Sequence, residues 1–169
     1  MPGEEAEKLV AVADASSLIG LCWIGQWELL EAMAQVVYVP AAVWEEVVEQ
    51  GRGRPGVREL QSGRVARRRD AVDRRTAKAL RATLGAGEAE VIALAMELRG
   101  AVVLADDPNA RKAAQKAGLQ TMGVVGFLTL AKTAGHVREI RPLLDALQAH
   151  GFRLSRSLVQ AALRDAGES

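Results

Sequence analysis

Cysteine, histidine, proline and aromatic side chains are all scarce in this 169-residue chain: one Cys, two His, five Pro, and six aromatics in Trp, Tyr and Phe together. The lone Cys22 excludes an internal disulfide and reads as a small buried hydrophobe in a reducing compartment. With no Cys or His set, a zinc site is not expected; His136 and His150 lie in the C-terminal helical region and read as surface or capping residues. Six aromatics, most of them on helical or strand faces, argue against a platform that stacks successive bases. No apolar run approaches the roughly 20 residues that cross a bilayer, and the acidic start, residues 1–8, lacks a basic stretch followed by an apolar one. The expectation is a soluble, cytoplasmic protein without a membrane partner.

An excess of either charge is also missing, since 22 Lys and Arg face 21 Asp and Glu for a net +1. That average hides a segregation. From Arg52 to Arg81 there are eleven basic residues, ten of them Arg, against three acids, so this stretch carries +8 and the remainder −7. The planar guanidinium suits bidentate phosphate contact, which makes Arg67, Arg68, Arg69, Arg74 and Arg75 candidate phosphate-binding residues. A charge run alone is equally consistent with a solvated connection paired to the acidic remainder. A length of 169 residues and an apolar fraction of 49% suit one globular domain, here a short tail over 1–8 and a single domain over 9–169.

Along the chain, apolar runs at 9–13, 36–39 and 101–105 read as buried strands, with short strands at 64–72 and 121–125. Between them, helices are expected at 18–30, with Ser16 or Ser17 as caps, and after Pro40, where Val43 and Val47 accompany Glu45, Glu46 and Glu49. Further helices fall at 57–61, 89–98, 110–117 and 127–133. Residues 137–169 form a helical extension of two helices, 137–150 and 158–166, the second capped by Ser155. Gly51, Gly53, Pro55, Gly56 and Gly63 mark the basic stretch as largely loop. Repeated alternation of strand and helix specifies an α/β fold, a mostly parallel sheet covered on both faces, whose functional edge is at the carboxyl ends of the strands.

Five acids gather at that edge: Asp14 after the first strand, Glu46 one turn into the helix after the second, Glu88 at a helix start, and Asp106 and Asp107 after the 101–105 strand. Each has an ordinary reading, as a helix cap, a dipole complement or turn chemistry. Together they repel one another unless a cation intervenes, and hard oxygen donors favour Mg²⁺ or Mn²⁺.

In these segments the chain resembles the PIN-domain nucleases, including VapC-type toxin ribonucleases and a prokaryotic branch of predicted nucleic-acid-binding proteins. The resemblance rests on Val12-Ala13-Asp14-Ala15-Ser16-Ser17-Leu18-Ile19, on Val39-Pro40-Ala41-Ala42-Val43-Trp44-Glu45-Glu46-Val47, and on Leu84-Gly85-Ala86-Gly87-Glu88-Ala89-Glu90. It continues through Val103-Leu104-Ala105-Asp106-Asp107-Pro108-Asn109-Ala110-Arg111 to Gly151-Phe152-Arg153-Leu154-Ser155 and Ala166-Gly167-Glu168. The order and spacing of these pieces cover nearly the whole chain beyond residue 10. The resemblance implies a three-layer α/β/α sandwich and a metal-dependent endoribonuclease leaving a 5′-phosphate and a 3′-hydroxyl. It carries over Asp14, Glu46, Glu88 and Asp107 as catalytic carboxylates, with Asp14, Glu88, Asp106 and Asp107 as ligands of Mg²⁺ or Mn²⁺. Ser16 would support the first-strand carboxylate or a metal-bound water.

Two positions depart from simple transfer. Ala105 stands where many members have Thr two residues before the late Asp, which selects Asp107 and leaves Asp106 as a second candidate. Glu45 and Glu46 point about 100° apart on a helix, and the spacing from Pro40 selects Glu46. RNA is the implied partner, with a homodimer and, for a toxin, an antitoxin protein covering the acids. Two other classes compete. One is a PIN-fold module that binds RNA or protein with little catalysis; the other is a receiver-like domain, disfavoured because the 36–39 strand ends in Pro40 rather than Asp.

Overall fold

The computed structural model describes residues 7–49 and 55–168. Arg52, Arg54, Gly51 and Gly53 of the basic stretch, and residues 1–6 of the expected tail, lie outside the described residues. Five strands form one all-parallel sheet: β1 (Leu9–Ala13), β2 (Ala34–Val39), β3 (Ala66–Arg68), β4 (Val102–Leu104) and β5 (Gln120–Met122), in the spatial order β3-β2-β1-β4-β5. The chain builds outward from β1 to β2 and β3, then returns to the other side of β1 for β4 and β5. The reversal makes the β1/β4 junction a topological switch point, where a crevice opens at the carboxyl ends.

The central strands are continuous apolar runs because helices cover both faces. Val12, Val37 and Val103 are fully buried beneath Leu18, Leu30, Ile92, Leu94, Phe127 and Leu128. Helix α6 (Ala86–Glu97) is the most enclosed, with residues 89–95 all buried, as its nearly uniform apolar sequence anticipates.

Three expectations shift in detail. The helix expected over 18–30 is two helices, α1 (Ala15–Trp23) and α2 (Trp27–Met33), because Gly25 adopts φ +68° and its N–H bonds back to the Cys22 carbonyl at 3.0 Å. After α3 (Ala41–Trp44) the backbone opens into a π-helical turn, Glu45–Glu49. The basic stretch holds more helix than its loop-like composition suggests: after α4 (Val57–Gln61) and β3 comes α5 (Arg74–Leu80), capped by Asp73, whose Oδ1 accepts the Arg75 N–H at 3.0 Å.

Beyond α7 (Pro108–Lys116) and α8 (Val124–Thr133), the C-terminal extension supplies α9 (Arg141–Ala149) and α10 (Arg156–Asp165), the latter capped by the Ser155 hydroxyl. It packs back on α1. Phe152 lies so close to Gly20 that a Cβ there would stand 2.6 Å from its ring, and His150 stacks on Trp23 with ring centroids 5.3 Å apart. No helix among the described residues is long and apolar enough to cross a membrane.

Candidate active site

The loop from β1 into α1 places Asp14 at the switch point as the N-cap of α1, where its Oδ1 accepts the Ser17 N–H at 2.9 Å. Asp14 is only 6% exposed. Burial raises its carboxyl to about 7, against the lowering effect of the Ser17 bonds, and the neighbouring charge of Asp106 pushes in the same direction as burial. The acid nearest the sheet thus titrates close to neutrality.

The β4 carboxyl end delivers Asp106 and Asp107 in opposite roles. Asp106 uses both oxygens within the protein: Oδ2 accepts the Ser17 hydroxyl at 2.8 Å and Oδ1 accepts the Val124 N–H at 3.0 Å, the first turn of α8. Gly123 is required beside it, because a Cβ there would stand 2.8 Å from Asp106 Oδ1. Burial raises the Asp106 carboxyl as well, partly offset by these two bonds and by the positive charge of Arg111. Asp107 caps α7 by accepting the Ala110 N–H at 2.9 Å through Oδ1. Its charge reaches across to Glu88, whereas Asp106 acts on Asp14.

Glu88 sits in the first turn of α6 and folds back so that Oε2 accepts the Gly85 N–H at 3.2 Å. Its carboxyl is raised chiefly by burial, which outweighs the lowering Gly85 bond, with the smaller charge effects of Asp107 and Glu46 adding to the rise. Glu46 approaches from the π-helical turn, and such turns recur at functional sites. Gly87 faces this segment: a Cβ there would press on Val43 Cγ2 at 3.2 Å and touch Glu46 Oε2 at 3.5 Å, an ordinary contact. Asp14, Ser16, Glu46 and Glu88 line one cleft of about 60 Å³. It adjoins a wider opening of about 320 Å³ between Glu45, Glu46 and the start of α6.

The structure therefore brings Asp14, Glu46 and Glu88 to one cleft, sets Asp107 within electrostatic reach of Glu88, and turns Asp106 toward α1 and α8. Ser16 lines the cleft, but the hydrogen bonds to Asp14 and Asp106 come from Ser17. The reason is helical geometry: with Asp14 as N-cap, Ser17 is the residue whose N–H meets the capping carboxylate. Among the described residues, no three of the Asp, Glu, His and Cys side chains form a group that could hold a metal ion. The donor chemistry nonetheless suits a hard divalent cation. Every donor is a carboxylate, Asp14 and Glu88 are raised partly by their neighbours' charge, and among the described residues none of the cleft acids has an ion-pair partner.

The arginines divide into two sets. Arg67 and Arg68 end β3, exposed at the same carboxyl edge of the sheet as the acids, and Arg69 follows with its guanidinium 5.0 Å from the Tyr38 ring centroid. Arg74 is engaged by the protein, donating to Glu90 Oε1 at 3.0 Å, and Arg75 pairs with Asp73 at 3.3 Å. Glu90, which sequence reasoning passed over, is 9% exposed, and its Oε2 also accepts the Ala42 N–H at 2.9 Å. It fastens the start of α3 to α6, and so the Glu46 segment to the Glu88 segment. Its signal was an acid inside an otherwise apolar helical run.

A parallel sheet in the order 3-2-1-4-5, covered on both faces and carrying carboxylates at its switch point, defines a nuclease-like α/β/α domain. A family model described as a PIN domain matches residues 10–168, and the chain belongs to that family, whose members are generally nucleases. No curated protein matches the chain.

Proposed function

We propose that this protein is an endoribonuclease dependent on Mg²⁺ or Mn²⁺. The observation that carries the reading is the shared cleft of Asp14, Glu46 and Glu88 at the switch point, where among the described residues the carboxylates have no ion-pair partner. Asp14 and Glu88, which line the cleft, would bind the ion, with Glu46 facing it from the π-helical turn and Asp107 adding negative charge from within electrostatic reach of Glu88. When bound, the cation supplies Lewis-acid activation of water and neutralises charge at the scissile phosphate. Asp14 and Glu88 then work as anions, because an adjacent cation brings their raised carboxyls down. Asp106 acts one layer behind, aligning Ser17 and through it Asp14. Arg67 and Arg68 take the phosphates of the RNA, a contact that gives affinity and orientation rather than sequence choice.

The competing reading is a PIN-fold module that binds RNA or protein without cutting, favoured by the lack of a three-acid ion group among the described residues. One experiment separates the two. Single-stranded and structured RNAs are incubated with the protein and Mg²⁺, Mn²⁺ or EDTA, beside Asp14→Asn. Metal-dependent cutting lost in the variant is the expected result. No cutting of any RNA, with no metal-induced rise in melting temperature, would leave the binding module. A toxin role predicts in addition that strong induction without a partner protein arrests growth, and normal growth would remove that role.

A further inference from the structure

On α5, α6 and α7, away from the acid cleft, lies a groove of about 950 Å³. Its floor is aliphatic, with Leu80, Ile92 and Met96 prominent, and Met96 is 52% exposed. Its rim carries Lys112 and Lys116 together with Arg75, which is paired with Asp73, and no Asp or Glu lines the groove itself. Beside Met96, the Glu97 carboxylate is occupied by the N–H groups of Val72 and Asp73. None of the acids of the cleft takes part.

We propose that this groove is a docking surface for an acidic amphipathic helix of a partner protein. Three features select that occupant. The floor has no aromatic ring on which a base could stack, so it suits aliphatic side chains better than RNA. The rim is of one sign, so a second copy placed symmetrically would face cation with cation, whereas an acidic partner is complementary. Lys112 and Lys116 are four residues apart on one face of α7, a spacing that matches carboxylates one turn apart on a facing helix. The partner helix lays an apolar stripe on Leu80 and Met96 and directs its acids outward to Lys112 and Lys116.

The inference does not rest on nuclease activity and is tested by binding. The probe is a fluorescein-labelled helical peptide of Leu and Glu with Leu on one face, set against its Lys-for-Glu counterpart and a single-stranded RNA oligonucleotide. Fluorescence anisotropy with the full chain should show the acidic peptide binding at least tenfold tighter than the basic one, and more weakly as salt rises. The Lys112→Glu/Lys116→Glu double variant and, separately, Met96→Asp should each weaken it tenfold or more. All three side chains are exposed; melting curves check folding, and Lys112→Ala, expected to weaken binding less, stands in for any variant that unfolds. Equal binding of both peptides, or binding indifferent to the variants, overturns the proposal. So does RNA binding that the variants abolish when neither peptide binds, or a dimer that Met96→Asp splits in sedimentation.

Discussion

The acids at the two ends of this molecule are treated in opposite ways. Near the C-terminus Glu168 is surrounded by donors: Oε2 accepts Lys132 Nζ at 2.8 Å and the Ile140 N–H at 2.9 Å, and Oε1 accepts the Arg141 N–H at 3.2 Å. Burial pushes that carboxyl up, but these bonds outweigh it and hold it below the ordinary Glu value. At the switch point Asp14, Glu88 and Asp106 are raised instead, burial being the leading cause for each. Cations are plentiful in the chain, so the lack of ion pairs there among the described residues is not a shortage of Lys or Arg. A fold that surrounds one acid with donors and leaves three others raised by burial is spending stability where function needs it.

The sharpest way to break this contrast is Asp14→Asn. As a ligand of the proposed cation, its removal should cost more RNA cleavage than the roughly 10–100-fold typical of outer-shell partners. Stability should move the other way. The folded state holds the Asp14 proton up to about pH 7, against an ordinary value of 3.8, so its contribution is complete below about pH 4 and is lost as pH rises through 7. At pH 8 without divalent metal, Asn should therefore stabilise the fold by up to roughly 3–4 kcal/mol, because its Oδ1 can still accept the Ser17 N–H. Urea unfolding at pH 4 and pH 8 checks this; a variant less stable than the parent at pH 8 would dissolve the contrast.

Glu168→Ala should give the complementary result at a smaller scale. It leaves Lys132 and two N–H groups without their acceptor, at side chains 22% and 13% exposed, so the cost is about 2 kcal/mol rather than the larger figure for a fully buried pair. Because the folded carboxyl lies below 4.5, this contribution is present above that value and disappears as pH falls through the lowered one. Between pH 5 and 8 the loss should be flat, while the Asp14 effect changes steeply. A Glu168→Ala penalty that grew across that range would show the tail acid to be no different from those of the cleft.

How much of this was legible from sequence depended on whether the signal was local. The strand at 9–13 ending in Asp14, the enclosed α6 and the Ser155 cap follow from apolar runs and capping residues a few positions apart. The α/β class follows from alternation. The break at Gly25 could have been read from the glycine, whereas α5 was hidden because Arg-Arg-Thr-Ala-Lys carries no apolar stripe until it packs on α6. The strand order, and with it the switch point, was set by pairings between distant segments. The same holds at the site. Asp14, Glu46 and Glu88 stood out through their place after strands and at helix starts. The division between Asp106 and Asp107 was invisible, because it is made by Ser17, Val124 and Gly123, contacts 17 to 89 residues away.

That division yields the smallest test. The Ser17 hydroxyl donates to Asp106 and helps hold both Asp106 and Asp14 down against burial. Ser17→Ala keeps the backbone cap on Asp14 but removes the hydroxyl, at a cost of about 1 kcal/mol. With one lowering influence gone, the Asp14 carboxyl should rise further. The acid limb of the cleavage profile should then move to higher pH by about half to one unit, with the rate at high pH nearly kept. Ser16→Ala, altering a cleft wall but not this hydrogen bond, should leave the limb in place. If Ser16→Ala moved the limb and Ser17→Ala did not, the alignment of Asp14 through Asp106 and Ser17 would be wrong, and Asp106 would be better read as a direct ligand beside Asp14.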